Sequence, residues 1–277
     1  MIEQNRKILL KAASGNPDAQ MKIISLGLGV QSTALYLMSS MGIIDRADYA
    51  IFSDPGSEHR ETYDLEKWLI GWQKENDGIP IKIVRNSIYN DLMERKKDPK
   101  HRVASLPLFA KGGAGKIMRQ CTSEYKIQPV VKMTRKLLGL KPRKRMLPVE
   151  MWLGISLDEV QRLKESGQYN ITYRYPLIQE FMSRADCINF LKENDFPIPT
   201  KSACVFCPFH SDKFWKSLKK GGGEEWNTAI EVDDIIREHP SMKEKLYIHR
   251  SCVPLKDVDF ESQLDMFEEE CEGYCGI

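Results

Sequence analysis

The sequence predicts an α/β fold: a doubly wound, mostly parallel sheet with a loop-rich, cysteine-bearing C-terminal lobe. Three observations predict it. Short apolar runs alternate with segments of helical period through the first part of the chain. A glycine turn follows the first apolar run at once. The alternation then thins into a stretch punctuated by Pro197, Pro199 and Pro208, which holds the pair Cys204-x-x-Cys207.

The elements follow in order. Residues 1–20 are polar with weak periodicity and read as an arm. Met21–Leu26 reads as a buried strand, and Gly27–Thr33 as a turn. Ala34, Leu35, Leu37, Met38 and Met41 then recur at helical spacing. Tyr49–Ser53 is the second expected strand, a helix carrying Leu65, Trp68, Leu69 and Trp72 follows, and Ile81–Val84 is the third strand. Strands alternating with helices imply a parallel sheet with helices on both faces. Residues 95–118, rich in lysine and glycine, read as a long loop able to act as a lid. Helix resumes near Lys126, and Met151–Ile155 is a further core strand. Gly221-Gly222-Gly223 separates two helical stretches. The expected division is an α/β domain over 21–180, a helical and loop lobe over 181–260 and an acidic tail over 261–277.

The 277 residues can bury a core without disulfides. Forty-one basic and 39 acidic residues leave a net charge of +2, which argues against wholesale coating of nucleic acid but not against a local basic patch. No run is long enough to span a membrane and no signal peptide opens the chain, so a cytoplasmic protein is expected. Seven cysteines, an odd number in a chain of this size, suit metal ligands, redox thiols or buried packing better than a disulfide framework.

Gly27 and Gly29 let the backbone bend after the first strand. The turn's N–H groups, the hydroxyls of Ser25, Ser32 and Thr33, and the positive end of the next helix can then face an anion. The pattern lacks the lysine of a Walker loop and is not the dinucleotide fingerprint. An ordinary strand-to-helix turn would look the same. Asp54, at the end of the second strand, stands where open sheets put ligands and could take a ribose hydroxyl or a magnesium ion; a plain turn residue before Pro55-Gly56 is the bland reading. Cys204 and Cys207 can pinch zinc or an iron–sulfur cluster. Cys121 precedes a helix, with Arg119 and Lys126 nearby, an arrangement that favours thiolate. Cys187, among Ile188, Phe190 and Leu191, reads as core. Two basic clusters stand out: Arg135, Lys136, Lys141, Arg143, Lys144 and Arg145, and Lys213, Lys216, Lys219 and Lys220. Either could track a nucleic-acid backbone, although a charge run is more often a solvated face.

Several of these stretches, taken in order, resemble one superfamily. Ser25-Leu26-Gly27-Leu28-Gly29-Val30-Gln31-Ser32-Thr33 is similar to the PP-loop, the Ser-Gly-Gly-x-Asp-Ser signature of ATP pyrophosphatases. Asp54-Pro55-Gly56 through Glu61-Thr62 resembles the Asp-Thr-Gly…Glu-Thr stretch of phosphoadenosine phosphosulfate reductases. Arg119-x-Cys121-Thr122-x-x-x-Lys126-x-x-Pro129 and Gly154-Ile155-Ser156-Leu157-Asp158-Glu159-x-x-Arg162 resemble further motifs of that group. The group includes reductase-like phage proteins and the sulfurtransferase subunit of DNA phosphorothioation systems.

The resemblance implies an adenine nucleotide alpha hydrolase-like fold. It implies ATP or an adenylyl sulfate bound by Ser25, Gly27, Gly29, Gln31, Ser32 and Thr33, with Asp54 and Gly154 contributing. It implies catalytic roles for Cys121, Lys126 and Asp54, and magnesium as a further cofactor. Related adenylylsulfate reductases hold a [4Fe–4S] cluster on a Cys-Cys pair and a later C-x-x-C. Here that leaves Cys121, Cys204 and Cys207 as ligands, with Cys252, His210 or the tail as a fourth, and zinc as the alternative metal. Cys271 and Cys275 echo the nucleophile-bearing tail of the reductases. The implied function is adenylation of an acceptor followed by sulfur transfer, fed by a cysteine desulfurase or sulfide, with tRNA or DNA among the acceptors. Reduction of an adenylyl sulfate is one alternative, and a nucleotide- or nucleic-acid-binding module with reduced catalysis is another. Gln31 replaces the usual PP-loop aspartate and Pro55 the usual threonine.

Overall fold

The computed structural model describes residues 15–98, 100–103, 105–112, 119–238 and 244–260. The chain forms two compact units whose segments interleave in sequence. One takes the segment ending at Ser53, Arg60–Val84 and Pro129–Ser202; the other takes Asp54–His59, Arg85–Gln128 and the segment beginning at Ala203.

The first unit is built on a five-stranded sheet. Its strands are β1 (Met21–Ser25), β2 (Tyr49–Asp54), β3 (Ile81–Arg85), β5 (Val149–Leu153) and β6 (Ile171–Arg174), in the order β3-β2-β1-β5-β6. β1 pairs in parallel with both β2 and β5, and β5 with β6. The chain winds outward from β1 to β3, returns beside β1 as β5 and winds out the other way, which is the doubly wound order expected. Ile24 stands opposite Ala50 and Trp152, and all three join one apolar cluster with Leu35, Leu69 and Leu191. On the alternate face Ile23, Ile51 and Val149 are fully buried. Runs apolar on both faces are the mark of a parallel sheet. Flanking helices are α1 (Val30–Ser40), α2 (Arg60–Glu75), α4 (Gln128–Leu137), α5 (Pro176–Gln179) and α6 (Arg184–Glu193). Cys187 lies within the cluster, and burial pushes its thiol up to about 12, so the expected core role holds.

The second unit has its own core, including Leu106, Leu108, Phe206, Trp215, Val232 and Ile248. Around it stand α3 (Ile88–Lys97), α7 (Asp212–Gly221) and α8 (Gly223–Ile235). Gly222, at φ 61°, separates the last two as expected. A two-stranded antiparallel ribbon joins β4 (Phe109–Ala110) to β7 (Leu246–Tyr247). The expectation of a long loop over 95–118 is corrected for the described part. Residues 95–97 finish α3, and Leu106, Leu108 and Ala110 are buried core. Gly113 and Gly115 of that stretch, most of the N-terminal arm, and Cys271 and Cys275 lie outside the described residues.

A buried polar knot ties α7 to the chain after β7. His249 is 2% exposed, and its Nε2 lies 2.9 Å from Asp212 Oδ1. The Ser251 amide, which can only donate, reaches His249 Nδ1 at 3.2 Å. Nδ1 therefore accepts and Nε2–H donates to Asp212. Burial holds the imidazole's pKa below the ordinary 6.5, against the opposing pull of Asp212. A folded value below the unfolded one gives stability that is complete above 6.5 and lost as pH falls. Urea midpoints of the wild type should fall more steeply from pH 8 to pH 5 than those of His249→Asn. Parallel pH profiles for the two proteins would contradict this.

Candidate nucleotide-binding turn and the cysteine region

The glycine turn sits at the sheet's switch point. β1 and β5 are neighbours, but the chain leaves them in opposite directions, so the loops after their C-terminal ends enclose a crevice. Gly27–Gly29 follows β1 and Gly154 follows β5. The two loops touch: a Cβ on Gly154 would lie 2.7 Å from both Cα and N of Ser32. Only glycine lets the exit of β5 approach the start of α1 this closely.

Gly29 caps α1 in extended conformation, at φ −96° and ψ 174°. Ser32 Oγ lies 3.2 Å from both the Gly29 amide, from which it accepts, and the Gly29 carbonyl, to which it donates. The first N–H groups of a helix have no intrahelical partner, and here they lie beside a glycine whose missing side chain leaves open space. A Cβ at Gly29 would meet no atom within 4 Å. Thr33 is fully buried, yet its hydroxyl has no protein partner. Buried hydroxyls are normally satisfied, so an unpartnered one at the start of a helix suits a ligand or water.

Gln31 is the centre of a side-chain network. Its Nε2 donates to Glu159 Oε2 at 3.3 Å and to Ser156 Oγ at 3.4 Å. Its Oε1 accepts from Arg184 at 3.3 Å. Glu159, 5% exposed, also pairs with Arg162, and Asp158 accepts the Arg184 amide at 2.8 Å. The motif at 154–162 therefore connects α1 to the start of α6. A carboxylate at position 31 would face buried Glu159, and the amide removes that repulsion. Arg184 was not anticipated. The Ser183-x-x-Asp186 capping box marks its helix start in the sequence, but no local signal says that its side chain reaches Gln31.

The other expected residues belong to the second unit. Asp54 is 3% exposed; its Oδ1 accepts the Gly56 amide at 2.7 Å and its Oδ2 the Arg85 guanidinium at 2.5 Å. These are contacts of a turn residue before Pro55-Gly56, one carboxylate oxygen on a backbone amide and the other on Arg85. Gly56, at φ 78°, is held against the Asn86 carbonyl, 2.5 Å from where a Cβ would stand. Lys126 Nζ pairs at 2.9 Å with Glu58, whose side chain is fully buried. Lys126 lies in a π-helical turn, Ser123–Ile127. Such turns recur at functional sites. Cys121 is half-buried in the first helical turn of that segment, where the dipole favours thiolate.

Cys204 and Cys207 close a turn, with the Cys207 amide 2.8 Å from the Cys204 carbonyl. Between them Val205 and Phe206 are buried in the core, and Glu58 bridges Cys204 as in an antiparallel ladder. Among the described residues no three His, Cys, Asp or Glu side chains gather to hold a metal ion. Cys121, Cys204 and Cys207 all belong to the second unit, and Cys121 and Cys204 pack against the same apolar cluster. Burial of Val205 and Phe206 holds the turn between the two thiols against that core. His210 Nε2 is engaged with the Cys204 carbonyl at 2.8 Å, and its ring stacks on Phe214 at 3.6 Å. Cys252 Sγ donates to the Ala110 carbonyl at 3.7 Å.

No protein-family model matches the chain, and no curated protein matches it. Among solved structures it is similar to a phosphoadenylyl-sulfate reductase from Candida auris in a phosphate complex. The identity is 15%, over 73% of this chain and 88% of that one, with a TM-score of 0.41. Among the described residues no helix is long and apolar enough to cross a membrane.

Gly154→Ala tests the contact between the two loops. Its Cβ would press on backbone rather than on a flexible side chain, so either α1 or the exit of β5 must move. The expected cost is about 1–3 kcal/mol in urea unfolding, the range for overpacking. An unchanged midpoint would show that the loops yield freely.

Proposed function

We propose that the chain is an adenine-nucleotide-using enzyme that handles sulfur, with the Gly27–Thr33 turn as its phosphate site. The observation that supports this reading is the open space at Gly29 at the N-terminus of α1, a helix whose first turn also carries the buried, unpartnered Thr33 hydroxyl. In the leading form, an acceptor atom attacks the α-phosphorus of ATP and pyrophosphate leaves. A sulfur nucleophile then displaces AMP from the activated acceptor, leaving a new bond to sulfur. The turn would hold the phosphates and draw off the charge that develops on the leaving group. Gln31 supplies hydrogen bonds there without the negative charge of an aspartate.

A second form has its own support. Cys121 stands at a helix start, where thiolate is favoured. As nucleophile it would attack the sulfur of an adenylyl sulfate, the S–O bond would break, and the nucleotide would leave with a free phosphate oxygen. Lys126 and Asp54 would then position the substrate, with roles set by their pairing to Glu58 and Arg85. Pyrophosphate release from ATP in the presence of sulfide and candidate acceptors identifies the first form. Nucleotide release from adenylyl sulfate, abolished in Cys121→Ser, identifies the second. Absence of both supports a binding module.

Gly29→Val tests the site itself. Valine adopts the extended conformation of Gly29 readily and meets no protein atom, so the variant should fold, losing about 1 kcal/mol at most as a poorer helix cap. Its side chain fills the phosphate position, and calorimetry should show affinity for ATP and adenylyl sulfate reduced roughly tenfold or more, about 1.4 kcal/mol. Unchanged affinity in a folded variant removes the turn from the site.

A further inference from the structure

From Glu124 to Glu150 the sequence contains no aspartate or glutamate. Within that stretch the first unit carries seven cations: Lys132, Arg135, Lys136, Lys141, Arg143, Lys144 and Arg145. Lys132, Lys136, Lys141, Arg143, Lys144 and Arg145 are exposed. Among the described residues none of the seven forms an ion pair, and Arg135 donates to backbone carbonyls. Outside these seven cations acidic residues outnumber basic ones, so the concentration is a local feature.

The cations are not on a slack loop. α4 ends in a closed turn, with the Leu140 amide on the Arg135 carbonyl at 3.0 Å and the Gly139 amide on that of Lys136 at 3.0 Å. The Arg135 guanidinium then donates to the carbonyls of Lys141 and Lys144, at 3.4 and 2.6 Å. The Lys144 amide reaches the Lys141 carbonyl at 3.2 Å, and Arg143 takes the left-handed conformation at φ 65°. Beyond the turn Met146 is buried, and Asn170 donates to its carbonyl at 2.9 Å. One arginine thus spends its charge on folding the turn, and its neighbours are presented outward from a fixed backbone.

We infer that this turn and the adjoining face of α4 form a docking surface for duplex nucleic acid, read through its phosphate backbone. Dense unpaired cations match dense phosphates and gain from counterion release. Residues 126–149 contain no aromatic side chain, and the exposed Tyr169, next to Asn170, is a single ring where tracking a strand takes several, so single strands are disfavoured. Leu147, at 40%, is the large exposed apolar residue here, too little to anchor a bilayer together with charge. The surface is separate from the nucleotide turn. It leads into the N-terminal end of β5, whereas Gly27–Thr33 follows the C-terminal end of β1. With Met21 opposite Val149 and Ser25 opposite Leu153, the two lie at opposite edges of the sheet, about 15 Å apart at 3.3 Å per residue. A partner bound here must be extended if it is also to reach the nucleotide.

The test measures binding of a 20-base-pair DNA duplex, an RNA duplex of the same length, single-stranded oligothymidine and vesicles containing phosphatidylserine, across a salt series. The full-length wild type should bind one or both duplexes, with the logarithm of affinity falling linearly with that of salt. Lys141→Gln/Arg143→Gln/Lys144→Gln/Arg145→Gln should lower that slope by about 3 to 4, near 0.9 per lost phosphate contact, and weaken binding at moderate salt by roughly tenfold or more. Arg135 stays in place because it holds the turn. ATP affinity should be unchanged in this variant, and duplex affinity unchanged in Gly29→Val, so failure here and failure of the nucleotide reading are distinguishable. Lys141→Gln/Lys144→Gln, a milder change, should lower the slope by about 2. Preference between the duplexes identifies the natural partner. No duplex binding by the wild type at low salt, an unchanged slope in the variants, or tighter binding to vesicles or single strands would overturn the inference.

Discussion

The contact of Gly154 with the backbone of Ser32 is the constraint on which the candidate site depends. Parallel pairing of β1 with β5 brings the loops after both strands to one crevice, but pairing alone leaves a gap the width of a side chain. Removing a single Cβ closes it. Once the loops meet, Ser156 and Glu159 come within reach of Gln31, and Asp158 can take the amide of Arg184. The start of α1 is thereby fixed against two later segments of the chain. Such rigidity matters for anion binding, because helix N–H groups stabilise charge only when they are already aimed at it.

Gln31 shows how one exchange redistributes charge in such a site. In a PP-loop an aspartate here adds negative charge beside the phosphates. This chain instead keeps Glu159 buried nearby, paired with Arg162, and bridges to it with a neutral amide. Buried ion pairs are costly unless fully satisfied, and a second carboxylate would have left one charge uncompensated. The amide both donates to Glu159 and accepts from Arg184. An aspartate would be too short and could not donate. The neutral residue is therefore coupled to its neighbours and is not an isolated loss.

Legibility in the sequence followed burial. β1, β2 and β5 are apolar on both faces and stand out as unbroken runs, so their existence and order could be read directly. β6, Ile171-Thr172-Tyr173-Arg174, escaped because it is a short edge strand with one fully buried residue, and alternation over four positions carries little signal. β4 and β7 are two residues each, too short for any period. The glycine turn was legible because its chemistry is local. The partners of Gln31 were not, since 125 to 153 residues separate them in sequence. The Cys204-x-x-Cys207 spacing was equally legible, because it too is local. A two-residue spacing fixes where two thiols can be relative to each other, but a third ligand depends on packing between segments distant in sequence.

The two units solve their polar problems differently, and the difference bears on chemistry. In the first, charged groups near the glycine turn are linked through Gln31, while the basic turn before β5 is left without any carboxylate. In the second, charged side chains are closed into pairs: Glu58 with Lys126, Asp54 with Arg85, Asp233 with Arg237, and Asp212 with His249 and Arg250. Pairs of this kind specify a conformation more than they stabilise it, because desolvation offsets most of their attraction. The pairing with a fully buried glutamate fixes the place of Lys126. Cys121 is a half-buried thiol just ahead of the π-helical turn that holds Lys126 to Glu58. The glycine turn of the first unit and the cysteine and its neighbours in the second are thus each organised by contacts within their own unit.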